Sequence, residues 1–186
     1  MADDAETLTG WLRASSQAMR CLRVARDLCL PDWAIGAGFI RSLAWDHLSG
    51  YTQPTPLADI DLLYFDGSDL SPRREQEAEA WLEQQAPGLG WSVRNQARMH
   101  AGNGDLPYRD TLDAIAHWLE TPTAVAVRLE ADGRLTLLAP YGLEDLMALR
   151  VRPTLSGQRR AAAYHARMAA KNWPATWPRV VIVMPT

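Results

Sequence analysis

Apolar residues recur at helical spacing over positions 7–30, through Leu8, Trp11, Leu12, Met19, Leu22 and Leu28, until Pro31-Asp32 ends the run. The spacing predicts one leading helix. The period then changes: Trp33-Ala34-Ile35 reads as a short strand, Gly36-Ala37-Gly38 as a turn, and residues 39–48 as a helix carrying Ile40, Leu43, Ala44 and Leu48, closed by Ser49-Gly50. Residues 51–56 hold two prolines and form a loop that delivers Asp59-Ile60-Asp61 to the strand Leu62-Leu63-Tyr64-Phe65. On a period of two, both carboxylates fall on one face and Ile60 on the other.

Ser71 and Pro72 open the next helix as N-cap and first helical residue, and Pro87-Gly88 follow its end. A third strand runs through residues 91–99, and a Gly- and Pro-bearing loop occupies 101–109. Residues 111–119 are expected to be helical. The runs 124–129 and 135–138 flank Ala131-Asp132-Gly133-Arg134 as a hairpin. Helices are expected over 142–149 and 158–171, ahead of the apolar tail Val180-Val181-Ile182-Val183. The length suits one compact domain over residues 1–186.

Charge narrows the function classes. A net charge of −3 and a pI near 5.8 argue against a general nucleic-acid binder, which would show a basic face. Cys21 and Cys29 have neither redox nor zinc spacing and are expected as buried, reduced thiols. The N-terminus is acidic, without an apolar signal core, and no stretch has the roughly 20 apolar residues that span a bilayer, so a soluble cytoplasmic protein is expected.

The candidate chemistry lies at Asp59 and Asp61. Two carboxylates on one strand face can hold a hard divalent cation, Mg²⁺ or Mn²⁺, whose remaining ligands come from the phosphates of an NTP. The turn upstream feeds a helix N-terminus, where backbone N–H groups and the dipole favour phosphate, and Arg41 sits in the first helical turn. With only two glycines and no lysine, that turn fits neither a dinucleotide fingerprint nor a P-loop. Arg94, Arg98 and His100 share parity, so an uninterrupted strand would align them as an anion site; pairing of the arginines with Glu75, Glu77, Glu79 or Glu83 is the alternative. His47, His117 and His165 show no metal spacing and are expected at the surface or the edge of the core.

Ala37-Gly38-Phe39-Ile40-Arg41, then Leu48-Ser49-Gly50, then Asp59-Ile60-Asp61-Leu62, resembles the Gly-Gly-x-Val-Arg-Asp and Asp-x-Asp pattern of the polymerase-beta-like nucleotidyltransferase superfamily, which includes tRNA CCA-adding enzymes. AGFIRSLAWD, VRNQARMH and APYGLEDL extend the resemblance to a bacterial group of nucleotidyltransferase family proteins. The resemblance implies an α+β fold, a small mixed sheet flanked by helices, with metal ligation by Asp59 and Asp61 and phosphate binding at Ala37, Gly38 and Arg41. Ala37 stands for the first glycine and Ser42 for the aspartate after the arginine. Where active members carry a third carboxylate, the chain offers Arg94-Asn95-Gln96.

Asn95 is therefore expected in the cleft with Asp59 and Asp61, ligating through its carbonyl oxygen but unable to take a proton; Asn95→Asp should then strengthen metal binding. Were Asn95 on the other face, Glu120 or Glu144 would be the next candidates. The implied activity is transfer of a nucleoside monophosphate from an NTP to an unknown small-molecule or protein hydroxyl, with tRNA not expected as acceptor. The alternatives are a catalytically degenerate nucleotide-binding or protein-interaction module, and a sugar-nucleotide enzyme using Asp-x-Asp.

Overall fold

The computed structural model describes residues 3–185. Helices α1 (Asp4–Ala14) and α2 (Ser16–Asp27) replace the single leading helix expected from the apolar stripe. Ser15 takes an extended conformation between them and its hydroxyl accepts from the backbone of Ala18, so an N-cap outweighs continuous periodicity. Leu8, Leu12 and Leu22 still reach the same core.

Five strands form the main sheet: β1 (Ala34–Gly36), β2 (Ile60–Tyr64), β3 (Trp91–Asn95), β4 (Ala126–Leu129) and β5 (Leu135–Leu138). Their order is β3-β2-β1-β4-β5. Only β2 and β3 run parallel, Asp61 standing opposite Ser92 and Tyr64 opposite Asn95; the other pairs are antiparallel. The mixed sheet, the strand-turn-helix at Gly36-Ala37-Gly38 and the pairing of β1 with β2 agree with the sequence.

Alternation divides the sheet into two faces. Ile35, Ile60, Leu62, Tyr64, Val93 and Val127 enter the main core against α1, α2, α3 (Gly38–Ser49) and α4 (Pro72–Gln85). Ala34, Leu63 and Ala126 face the other way, beneath Ile115 of α6 (Thr111–Ala116) and Trp118. Gly36 lies on this second face, where a Cβ would stand 3.3 Å from Ala126, Leu63 and Trp118 alike. A larger residue there would pry the strands from the tryptophan.

β3 stops at Asn95, because the chain turns into a short 3₁₀ segment (Gln96–Arg98) and α5 (Met99–Asn103). As an edge strand it is sealed by side chains of α4: Glu79 accepts from the Val93 amide at 2.9 Å and Glu75 from the Asn95 amide at 2.7 Å.

Beyond the hairpin, α7 (Glu144–Met147) is shorter than the expected helix over 142–149. Strand β6 (Arg150–Val151) pairs with β7 (Val181–Ile182) outside the main sheet, and α8 (Leu155–Arg159) breaks from α9 (Ala161–Lys171) at Arg160. α10 (Trp173–Thr176) brings Trp173 and Trp177 edge-on to Trp45, in contact with the core. Cys21 is buried, whereas Cys29 lies past the end of α2 and is exposed, contrary to expectation.

Candidate active site

The site face is the face of Gly36 and Leu63. Asp59 is exposed just ahead of β2, and Asp61 is half-buried on the strand. Neither carboxylate has a hydrogen-bond partner among the described residues. Burial, and then the neighbouring Asp59, raise the Asp61 pKa above its ordinary value, while Arg167, Lys171 and Arg41 pull it down.

At the turn, Ala37 adopts φ 55° and ψ −124°, a conformation that suits glycine, and its amide donates to the Val125 carbonyl. The strain lies where the resemblance expects glycine. α3 starts here with no side chain capping its N-terminus and no acidic residue in its first turn, so its leading amides stay open for an anion.

Arg41 folds back towards Gly38, one guanidinium nitrogen standing 3.6 Å from where a Cβ would be. Its Nη1 donates to Thr123 Oγ1 at 2.8 Å, its charge lies 4.5 Å from the Trp173 ring and 5.4 Å from that of Trp45, and its Nε has no partner. Burial lowers its pKa to about 10, against the raising influence of Glu120, Asp61 and Asp59, so it is cationic at neutral pH.

A cavity of about 320 Å³ opens over this face, lined by Ala37, Asp61, Glu120, Thr123, Arg160 and Arg167 among others. Glu120 is buried; its Oε1 accepts from Arg167 at 2.7 Å and its Oε2 has no partner. Arg167 and Lys171, four positions apart on α9, act on the Asp61 carboxylate through their charge, and Arg160, just ahead of α9, lines the same cavity. The sequence gives no local sign of this, since about a hundred positions separate them from Asp61.

The expectation that Asn95 shares this cleft is corrected. Asn95 stands opposite Tyr64, on the sheet face away from Asp61, and is fully buried. Its Oδ1 accepts from the amides of Asp66 and Ala97 at 3.0 and 3.1 Å, and its Nδ2 donates to the carbonyls of Asp66 and Asp69, both at 2.8 Å. It buttresses the turn after β2. The cationic cluster is corrected as well: Arg94 pairs with Glu79 at 2.6 Å, Arg98 with buried Glu75, and His100 Nδ1 lies 3.1 Å from the Ala97 carbonyl. Alternation fails after Asn95 because the strand has ended. Of the two fallback carboxylates, Glu120 lines the cavity and Glu144 is exposed on α7.

Among the described residues no group of three or more His, Cys, Asp or Glu side chains is placed to hold a metal ion. Asp59 and Asp61 together offer carboxylate oxygens that have no competing partner among the described residues. That donor set suits a hard cation completed by phosphate and water.

A nucleotidyltransferase family profile matches residues 23–182, and the chain belongs to that family. An NMR structure revealing a CCA-adding enzyme head domain is 32% identical to it, covers 98% of this chain and 96% of its own, and superposes with a TM-score of 0.86. A Thermotoga maritima CCA-adding enzyme complexed with tRNA is 15% identical at TM-score 0.58, and an apo tRNA-processing enzyme 14% identical at TM-score 0.55. These two share the fold; this chain aligns with 98% and 88% of its own length but only 42% and 44% of theirs. Comparison with curated proteins gives no match. Among the described residues, no helix is long and apolar enough to cross a membrane.

Proposed function

We propose that residues 1–186 act as one unit that transfers a nucleoside monophosphate from an NTP to an acceptor hydroxyl. Asp59 and Asp61 hold Mg²⁺ or Mn²⁺, which supplies charge neutralisation at the phosphoryl oxygens and at the pyrophosphate leaving group. The open amides of α3 and the Arg41 guanidinium bind phosphate oxygens, with Arg167 and Lys171 adding positive charge from α9. Arg41 is pinned between Thr123 and two indoles, so it holds its geometry without reorganising as charge develops.

The observation that carries this reading is Asp61: a half-buried carboxylate beside a second carboxylate, without a hydrogen bond, facing an uncapped helix N-terminus and a buried arginine. The test is Mg²⁺-ATP titration of Asp59→Asn and Asp61→Asn together with urea melts. Loss of nucleotide binding in a folded protein is expected; destabilisation with binding unchanged overturns the metal-site reading.

A second reading is a nucleotide-binding member without turnover. It is favoured by Glu120, the one other carboxylate lining the cavity among the described residues, whose Oε1 is taken by Arg167. Pyrophosphate release from Mg²⁺-NTP separates the two. The acceptor panel includes small alcohols, proteins and tRNA: one structural relative was solved with tRNA, but the net charge of −3 here does not favour a polyanion.

A further inference from the structure

We propose that His117 is the base that takes the proton of the acceptor hydroxyl, with Asp105 as its positioning residue. The proposal rests on the nucleotidyl-transfer reading above. A proton must leave the acceptor as its oxygen attacks; Asp59 and Asp61 would be committed to the cation, and Glu120, paired with Arg167 through Oε1, keeps only a buried Oε2 free. His117 lines the same cavity as Asp61, the one histidine among the described lining residues.

The ring is held from several sides. Its Nδ1 lies 3.3 Å from Asp105 Oδ2 and 3.4 Å from Ser156 Oγ. The Asp105 carboxylate, 6% exposed, also accepts from the Tyr108 hydroxyl at 2.8 Å and from Arg159 at 3.4 Å. With its proton on Nδ1 the ring turns that proton to the Asp105 carboxylate and keeps the Nε2 lone pair free, and this is the tautomer the proposal requires. Nε2 makes no hydrogen bond among the described residues. Tyr108 packs on the ring at 4.8 Å, and Arg160 donates to the His117 carbonyl while its other arm reaches Asn103. Other charges near the ring are Asp113 on the same helix and, across Tyr108, His100.

In the step this geometry allows, the acceptor O–H proton passes to Nε2 and the oxygen electron pair forms a bond to the α-phosphorus. The bond from that phosphorus to pyrophosphate breaks, and its electron pair leaves with pyrophosphate. Asp105 stabilises the imidazolium, which afterwards returns its proton to water.

The experiment follows pyrophosphate release from Mg²⁺-NTP against pH, with each acceptor of the panel, for the wild type, His117→Gln and Asp105→Asn. The wild-type rate is expected to rise with pH through one ionisation. His117→Gln should abolish that rise and lower the rate roughly 10²–10⁴-fold with nucleotide affinity unchanged. Asp105→Asn should displace the ionisation with a smaller loss. The ¹⁵N spectrum of the unmutated protein provides a reading that needs no variant to fold: the Nδ1-protonated tautomer is expected at neutral pH, mixing with the other in Asp105→Asn.

An Nε2-protonated ring, or pyrophosphate release that His117→Gln leaves unchanged in rate and pH profile, overturns the base role alone. Nucleotide binding without pyrophosphate release from the wild type overturns the transfer reading, and the base role falls with it.

Discussion

Two buried polar clusters lie on opposite faces of the β2–β3 pair. The first joins Asn95, Glu75 and Arg98; the second joins Asp61, Arg41, Glu120 and Arg167. In the first, the Asn95 amide uses all four of its hydrogen-bonding positions, and Glu75 is held by a backbone amide and a guanidinium. In the second, Arg41 Nε and Glu120 Oε2 have no partner and Asp61 is raised by a like charge. Both clusters consist of residue types that suggest catalysis. Satisfaction distinguishes them: a saturated network specifies the fold, whereas one left short is poised for something it does not contain.

The largest test of this contrast is Asn95→Asp. If the first cluster is structural, a carboxylate there faces the carbonyls of Asp66 and Asp69, and stability should fall by about 3 kcal/mol with no gain in Mg²⁺ affinity. Urea melts with metal titration decide it; tighter metal binding in a stable variant would return Asn95 to the site.

Asp61→Asn should act in the opposite sense, raising stability at pH 7 by about 0.5–2 kcal/mol while removing Mg²⁺-dependent nucleotide binding. The sign follows from the raised pKa. Between the unfolded and folded pKa values the native state holds the Asp61 proton more tightly, so this group's contribution to stability is complete below the unfolded value and is lost as pH rises through the folded one. The advantage of the variant should therefore shrink on acidification. An advantage that grows in acid would break the comparison.

Ala37→Gly is the smallest test. Relief of a backbone conformation costing about 1–3 kcal/mol, less about 0.5–1 kcal/mol of glycine entropy, predicts a gain near 1 kcal/mol. A loss in thermal unfolding would show that the turn is unstrained.

The strand was legible because an apolar run follows Asp59-Ile60-Asp61, and a period of two set both carboxylates on one face; the mixed sheet itself came with the family resemblance. The period misled at β3. Parity carries information only while a strand lasts, and nothing local announces that the chain leaves the sheet at Asn95 to form a 3₁₀ turn. The break at Ser15 was hidden by an apolar stripe that continues through it. His117, Glu120 and Arg167 carry no common motif, and His117 was read as an edge residue. They meet through the packing of α6, α9 and the segment before β4, so tertiary contact alone reveals them.

Asp46, on α3, has a consequence for how the chain acquires its site. Its carboxylate accepts from the Thr55 amide and hydroxyl in the loop leading to Asp59, and from the Trp177 indole at 2.8 Å. Tyr51, in the same loop, donates to the Thr176 carbonyl. The segment that presents the first carboxylate is therefore fastened by residues translated more than a hundred positions later. A chain emerging from the ribosome folds its N-terminal elements first. Sheet and helices can settle early, while the path into Asp59 stays loose until Trp177 arrives, so that assembly of the candidate centre waits for the segment that carries this indole.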